Sequence, residues 1–288
     1  MNMPKDPRLI ALVRRLPAKI LKEFCKKYSK DYGLKVYARR SELVSQILAK
    51  VPEEVLIKEL YMKYEQAGNT TVHLFKLEGI NVKKITDLIS PRTELSEVPI
   101  IVDMMWINNT KLMIRFEYVE PILVVNEEYQ LEVRNKLQVA FAIMHVLDNF
   151  VEVRTRSRNT ALWIIRMLAK HMNSSYEPLR FSRDQIGSWV DWAKTLRNAR
   201  FKPIRSALST VSLTAREEYD LREIEEFEEW WKKEERVGGI YIKAEIPTGE
   251  ELGFGINAEY GKIMFKTFAS EEEIQYVIKK AKQILGFS

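Results

Sequence analysis

Two sets of residues in this sequence could act on a charged substrate: carboxylates spaced along strands, and cations gathered around helix ends. Asp103, Glu117, Glu152 and Glu245 each fall on an expected strand, and Lys243 precedes Glu245 by two residues. Converging carboxylates can hold a divalent metal and support phosphodiester cleavage, although alternating acids are also what half-exposed strands commonly carry. The cations are more localised. Arg39 and Arg40 flank the start of an expected helix at Ser41, where unpaired backbone N–H groups and the positive end of the helix dipole favour an anion. Lys35 lies in the loop before it, and Lys26, Lys27 and Lys30 stand at the end of the preceding helix. The alternation of Arg154 and Arg156 would place both on one face of an edge or surface strand. Contacts of this type position a protein on phosphate and carry little base information.

Other candidates are weaker. Trp189, Trp192 and Phe201 sit near Arg197, Arg200, Lys202 and Arg205, a mixture of rings and guanidinium groups suited to unpaired bases. Trp189 and Trp192 also align with Ile186 and Leu196 at helical spacing, which reads as core. Cys25 lies in an apolar stripe and reads as a core residue rather than a nucleophile. Gly253-Phe-Gly255 has no following helix to make a phosphate loop and reads as strand glycine at a bulge. There is no P-loop, dinucleotide fingerprint, G-x-S-x-G elbow or H-E-x-x-H. One cysteine and three scattered histidines, His73, His145 and His171, leave no local metal motif, so no metal or cofactor is expected.

The elements that must position these residues are marked by caps and periodicity. Asp6 is an expected N-cap with Pro7 at N1, ahead of Leu9, Leu12, Val13 and Leu16. A second helix starts near Pro17 and carries Ile20, Leu21, Phe24, Cys25 and Tyr28; a third, capped by Ser41, carries Leu43, Val44, Ile47, Leu48 and Val51. Pro52 opens a fourth, through Val55, Leu56, Leu60 and Tyr64, which Gly68 can end. From Thr70 the texture turns β-branched and aromatic. Residues 100–107 and 111–119 read as a hairpin about an Asn108-Asn109 turn with positive φ. A strand at 150–155, a helix over 159–172 and a helix from the Ser182–Gln185 capping box to about Ala199 follow. Residues 216–237, with 10 acids against 5 bases, read as an exposed helix whose Trp230-Trp231 pair could meet a protein partner. Strands near 239–246, 252–258 and 262–268, a turn at Tyr260-Gly261, and a helix capped by Ser270 and closed by Gly286 complete the chain. The expectation is α+β, with a small helical domain over 1–68, a mainly antiparallel body over 69–236, and a C-terminal meander and helix over 237–288.

Residues Ile20–Tyr28 and Gly33–Leu48 resemble the SAP motif, a short helix-loop-helix of DNA-associated proteins. The matching positions are Gly33-Leu34, Ala38, Arg40, Glu42-Leu43, Val44 and Ile47-Leu48, with Leu21 and Cys25 on the apolar face of the first helix. Ala38 stands where the family usually has Gly, Gln46 where it often has Arg, and Ser29–Tyr32 forms an extra turn. The resemblance implies duplex DNA binding through the loop and the start of the second motif helix, mostly without base reading. Lys243 and Glu245 loosely resemble the lysine and carboxylate of restriction-type nucleases, but order and spacing differ.

Charge along the chain is sorted. The net +6 divides into +8 over residues 1–64 (15 Lys/Arg, 7 Asp/Glu) and +8 over 150–210 (12 against 4). Residues 65–149 contribute −4 and 211–288 contribute −6. Segregation of this kind fits a surface facing a polyanion, or segments that neutralise one another in the fold. No apolar run approaches a membrane span, and MNMPKDPRLIALVRRL carries charges where a signal peptide is apolar, so a cytoplasmic location is expected. Abundant Lys, Glu, Ile and Val with few Gly and Pro suggest a thermophile, archaeal in type, and a microbial or mobile genome as the setting. The expected activity is non-catalytic DNA binding, with a protein-interaction scaffold and a metal-dependent nuclease as alternatives.

Overall fold

The computed structural model describes residues 5–61, 64–68, 70–89, 96–125, 129–203, 208–233 and 236–287. The chain divides into two compact units, one of residues 1–68 with 268–275, the other of residues 69–267 with 276–288.

The first unit is helical: α1 (Pro7–Arg15), α2 (Ala18–Lys27), α3 (Ser29–Tyr32), α4 (Arg40–Lys50) and α5 (Glu53–Leu56), which runs into a π-helical turn, Ile57–Tyr61. Asp6 caps α1, its carboxylate accepting from the Arg8 N–H at 2.8 Å, with Pro7 at N1 where its missing N–H has no consequence. The apolar stripes Leu9/Leu12/Val13/Leu16, Leu21/Phe24/Cys25, Leu43/Ile47/Val51 and Leu56/Leu60 meet in one core, joined by Leu34 from the loop before α4. Phe268 packs on this core and its ring lies 5.8 Å from that of Tyr64. One local expectation changes and one holds. The residue at the N-cap of α4 is Arg39, in extended conformation, with Arg40 already helical, so Ser41 lies inside the first turn instead of capping it. Ser29–Tyr32 is a separate short helix ended by Gly33 in the left-handed region at φ 57°.

The second unit is an antiparallel sheet of eleven strands among the described residues: β1 (Thr71–Glu78), β2 (Ile100–Asn108), β3 (Lys111–Val125), β4 (Leu131–His145), β5 (Phe150–Arg154), β6 (Ser175–Pro178), β7 (Thr195–Phe201), β8 (Val211–Thr214), β9 (Val237–Glu245), β10 (Glu251–Asn257) and β11 (Lys262–Met264). Their order is β2-β3-β4-β5-β1-β11-β10-β9-β7-β8, with β6 beside β1. Helix α6 (Arg158–Met172), capped by Ser157, lies on one face of the β1–β5 half and buries Ala161, Ile164, Ile165 and Leu168 against Ile114, Phe116, Ala142, Val151 and Val153. Helices α7 (Arg183–Trp192), α8 (Glu225–Lys233) and α9 (Glu271–Leu285) complete the fold.

The capping box at Ser182/Gln185 and the Ser270/Glu273 pair both form. Helix α7 nevertheless stops at Trp192, because residues 195–201 pair with both β7's neighbours, β8 and β9. The helical spacing of Leu196 yields to strand pairing that buries Leu196, Ala199 and Phe201 in alternation. The hairpin turn falls at Asn109-Thr110, without positive φ; the Asn108 side chain holds it by accepting from the Thr110 N–H at 2.9 Å. Gly253 and Gly255 lie in an unbroken β9–β10 register, not at a bulge. A Cβ on Gly253 would come within 2.4 Å of the Tyr241 hydroxyl, so a side chain there would have to displace the end of the Tyr241 ring. No helix among the described residues is long and apolar enough to cross a membrane.

Candidate nucleic-acid interface

The segment between α2 and α4 is held by its own side chains. Gly33 turns the chain, Leu34 inserts into the core, and the Leu34 N–H donates to the Ser29 carbonyl at 3.2 Å. Gln46 on α4 then grips the backbone of Lys35 from both sides: its Oε1 accepts from the Lys35 N–H at 2.8 Å and its Nε2 donates to the Lys35 carbonyl at 2.7 Å. Lys50, one turn further, donates to the Gly33 carbonyl at 2.8 Å. Gln46 thus serves as a clamp. The loop tip beyond it projects Tyr37, which is 99% exposed between the exposed Lys35 and Arg39.

The cations proposed from sequence do not share one role. Lys26, Lys30, Lys35 and Arg39 are exposed, and their side chains have no ion-pair partner among the described residues. Lys27 is paired with Glu59 at 2.7 Å, a hydrogen bond that raises its ammonium above the ordinary range. Arg40 turns back to the end of α1, donating to the carbonyls of Arg14 and Leu16, and so occupies orphan acceptors there. Ser41 is exposed in the first turn of α4. No side chain caps the α4 N-terminus. Cys25 is fully buried, its thiol pushed up by that burial, as a core residue. Sequence reasoning missed Tyr37 and the two clamps. The left-handed glycine before a polar loop was the available signal for the turn, but only folding brings Gln46 to Lys35.

In the sheet unit the expected Arg154/Arg156 face does not form. Strand β5 is central, between β4 and β1, and Arg154 is only 2% exposed. Its guanidinium pairs with Glu152 at 2.8 Å, and the Glu152 carboxylate accepts from His145 Nε2 at 2.6 Å. Burial alone would raise the Glu152 carboxyl, but Arg154 and His145 hold it well below the usual carboxylate range. Arg154 therefore corrects to a structural residue, whereas Arg156, just past the strand, is exposed.

The rest of the 150–210 stretch is largely engaged within its own unit. Arg158 stacks 3.8 Å above the Tyr260 ring; Arg183 donates to the Trp231 carbonyl; Arg197 donates to the carbonyls of Ala215, Glu217 and Tyr219. Lys194 pairs with Glu251 at 2.9 Å and Lys202 with Glu259. Arg205 lies outside the described residues. Trp189 is buried and Trp192 half-buried, in contact with each other and with Phe254, as core. Among its described residues the acidic segment is α-helical over Glu225–Lys233, with a 3-10 turn at Leu221–Glu223, and Trp230 and Trp231 are half-buried on Phe201 and Phe227, which takes the exposed anchor from the protein-partner reading.

The strand carboxylates stay apart. Glu117 is buried and paired with Arg115 at 3.0 Å, Glu152 is paired as above, and Asp103 and Glu245 are exposed on β2 and β9. Lys243 reaches Glu251 at 3.6 Å. Among the described residues no group of three His, Cys, Asp or Glu could hold a metal ion. No family model and no curated protein matches this chain.

Proposed function

We propose that the helical unit is a SAP-like module that attaches this protein to the phosphate backbone of duplex DNA, without catalysis and largely without reading bases. The observation that carries the reading is the contrast in charge use: the side chains of Lys26, Lys30, Lys35 and Arg39 have no ion-pair partner among the described residues, and the loop bearing two of them is clamped by Gln46 and Lys50. Ordering that loop in advance lowers the entropic cost of seating it on a ligand. The uncapped start of α4 adds unpaired N–H groups beside Arg39. A cytoplasmic role in the replication, maintenance or regulation of a microbial or mobile genome fits such attachment.

The test uses the whole chain, because Phe268 belongs to the helical core and a truncation after residue 64 would strip it. Full-length protein and the Lys35→Ala/Arg39→Ala variant are titrated against labelled duplexes of several sequences at two salt concentrations. The variant should bind about tenfold more weakly on every sequence, with the log-log salt slope reduced by about one to two units. Equal affinity and slope for both proteins would refute the reading.

A further inference from the structure

The hairpin of β3 and β4 outruns its neighbours. Strand β2 pairs with β3 only as far as Glu117, and β5 pairs with β4 only from Phe141, yet β3 and β4 remain paired out to Val125 and Leu131. Side chains alternate across the ribbon, so the register sorts its two faces. One carries the cross-strand pairs Val119/Leu137, Leu123/Val133 and Val125/Leu131, with Pro121/Asn135 between them. The other carries Glu120/Lys136, Ile122/Arg134 and Val124/Glu132. The first face has no charge and, beyond the buried Val119 at its base, stands open: Leu123 is 70% exposed, Val125 62%, Leu131 70%, Val133 66% and Leu137 47%. A two-stranded ribbon has little stability by itself unless an apolar face is covered.

We propose that this face is where a second copy of the chain docks, ribbon face against ribbon face. Area favours it: five side chains so exposed present on the order of 600 Å², so two copies would remove about 1,200 Å² from water, the lower end of a specific interface. Chemistry favours the same occupant. A face with no charge has nothing to pair with a basic, acidic or polyanionic partner, but it matches itself. The edges are less suitable than the face, since Pro121 removes an N–H from β3 and Arg134 and Lys136 decorate β4. The surface lies wholly within the sheet unit and does not rest on the DNA-binding reading.

Sedimentation velocity of the full-length protein from about 1 to 100 μM should show the mass rising from 33.9 kDa toward twice that value. Leu123→Lys and, separately, Val133→Glu place a charge on the open face and should weaken association at least about tenfold, with circular dichroism and melting unchanged. Leu147→Lys, at a residue 77% exposed outside the ribbon, should leave association as it is. A single 33.9 kDa species at the highest concentration would overturn the proposal, as would Leu123→Lys associating like the parent. Flotation with neutral phosphatidylcholine vesicles separates a lipid occupant: a monomer that floats, and stops floating with Leu123→Lys, would also overturn it.

Discussion

The two basic stretches carry the same net charge of +8 and put it to different uses. In the helical unit the side chains of four cations of residues 26–39 have no ion-pair partner among the described residues, around a clamped loop. In the sheet unit several cations of 150–210 are drawn into the protein, while Arg156 stays exposed: Arg154 onto Glu152, Arg197 onto three carbonyls, Lys202 onto Glu259. The lesson is physical. Net charge in a segment measures ligand-binding capacity only after internal partners are counted, because a paired or helix-capping cation has already given up its hydrogen-bond donors.

Substitutions can break or sharpen this contrast. The largest effect is expected at Arg154. Arg154→Ala removes the guanidinium that pairs with the buried Glu152 carboxylate and should lower stability by about 3–5 kcal/mol in chemical denaturation. A neutral result for stability would return Arg154 to the surface role expected from its spacing.

Acid should act next, and on the sheet unit. His73 is buried on β1, donates from Nε2 to the Thr155 carbonyl at 3.1 Å, and has its pKa lowered to about 4, chiefly by burial. Folding thus disfavours its protonation. Its contribution is present above the unfolded value of 6.5 and lost as pH falls from there toward about 4, by up to about 3 kcal/mol. Glu152, held below its ordinary range, loses its contribution only at lower pH still. Thermal melts across this range should show the loss, and His73→Gln should flatten it. The helical unit contains no histidine, so spectroscopic probes placed there should follow the sheet unit or lag it.

Smaller effects test the loop itself. Gln46→Ala removes both hydrogen bonds to the Lys35 backbone and should cost about 1 kcal/mol of stability, with DNA affinity falling about threefold at constant salt slope. A changed slope would mean that Gln46 acts on phosphate count, not on loop order. The smallest effect is expected at Arg156, which is exposed on the other unit: Arg156→Ala should stay within about 0.5 kcal/mol in stability. If it also reduces the salt slope by about one unit, the second stretch contributes a phosphate contact after all.

Sequence alone determined what depends on residues a few positions apart. The caps at Asp6, Ser182 and Ser270, the apolar stripes of α1, α2 and α4, and the β2–β3 hairpin follow from local spacing, since each is a contact within one or two turns or across a short loop. The α+β class follows from the same signals. Tertiary structure decided the rest. Whether residues 195–201 continue α7 or become β7 depends on β9, more than thirty residues later. Whether Arg40 meets phosphate or the end of α1, and whether Arg154 is a surface cation or half of a buried pair, depends on which acceptors the fold brings within about 3 Å. Charge is legible in a sequence because it belongs to a residue. Availability is not, because it belongs to the distance between two residues that only folding sets.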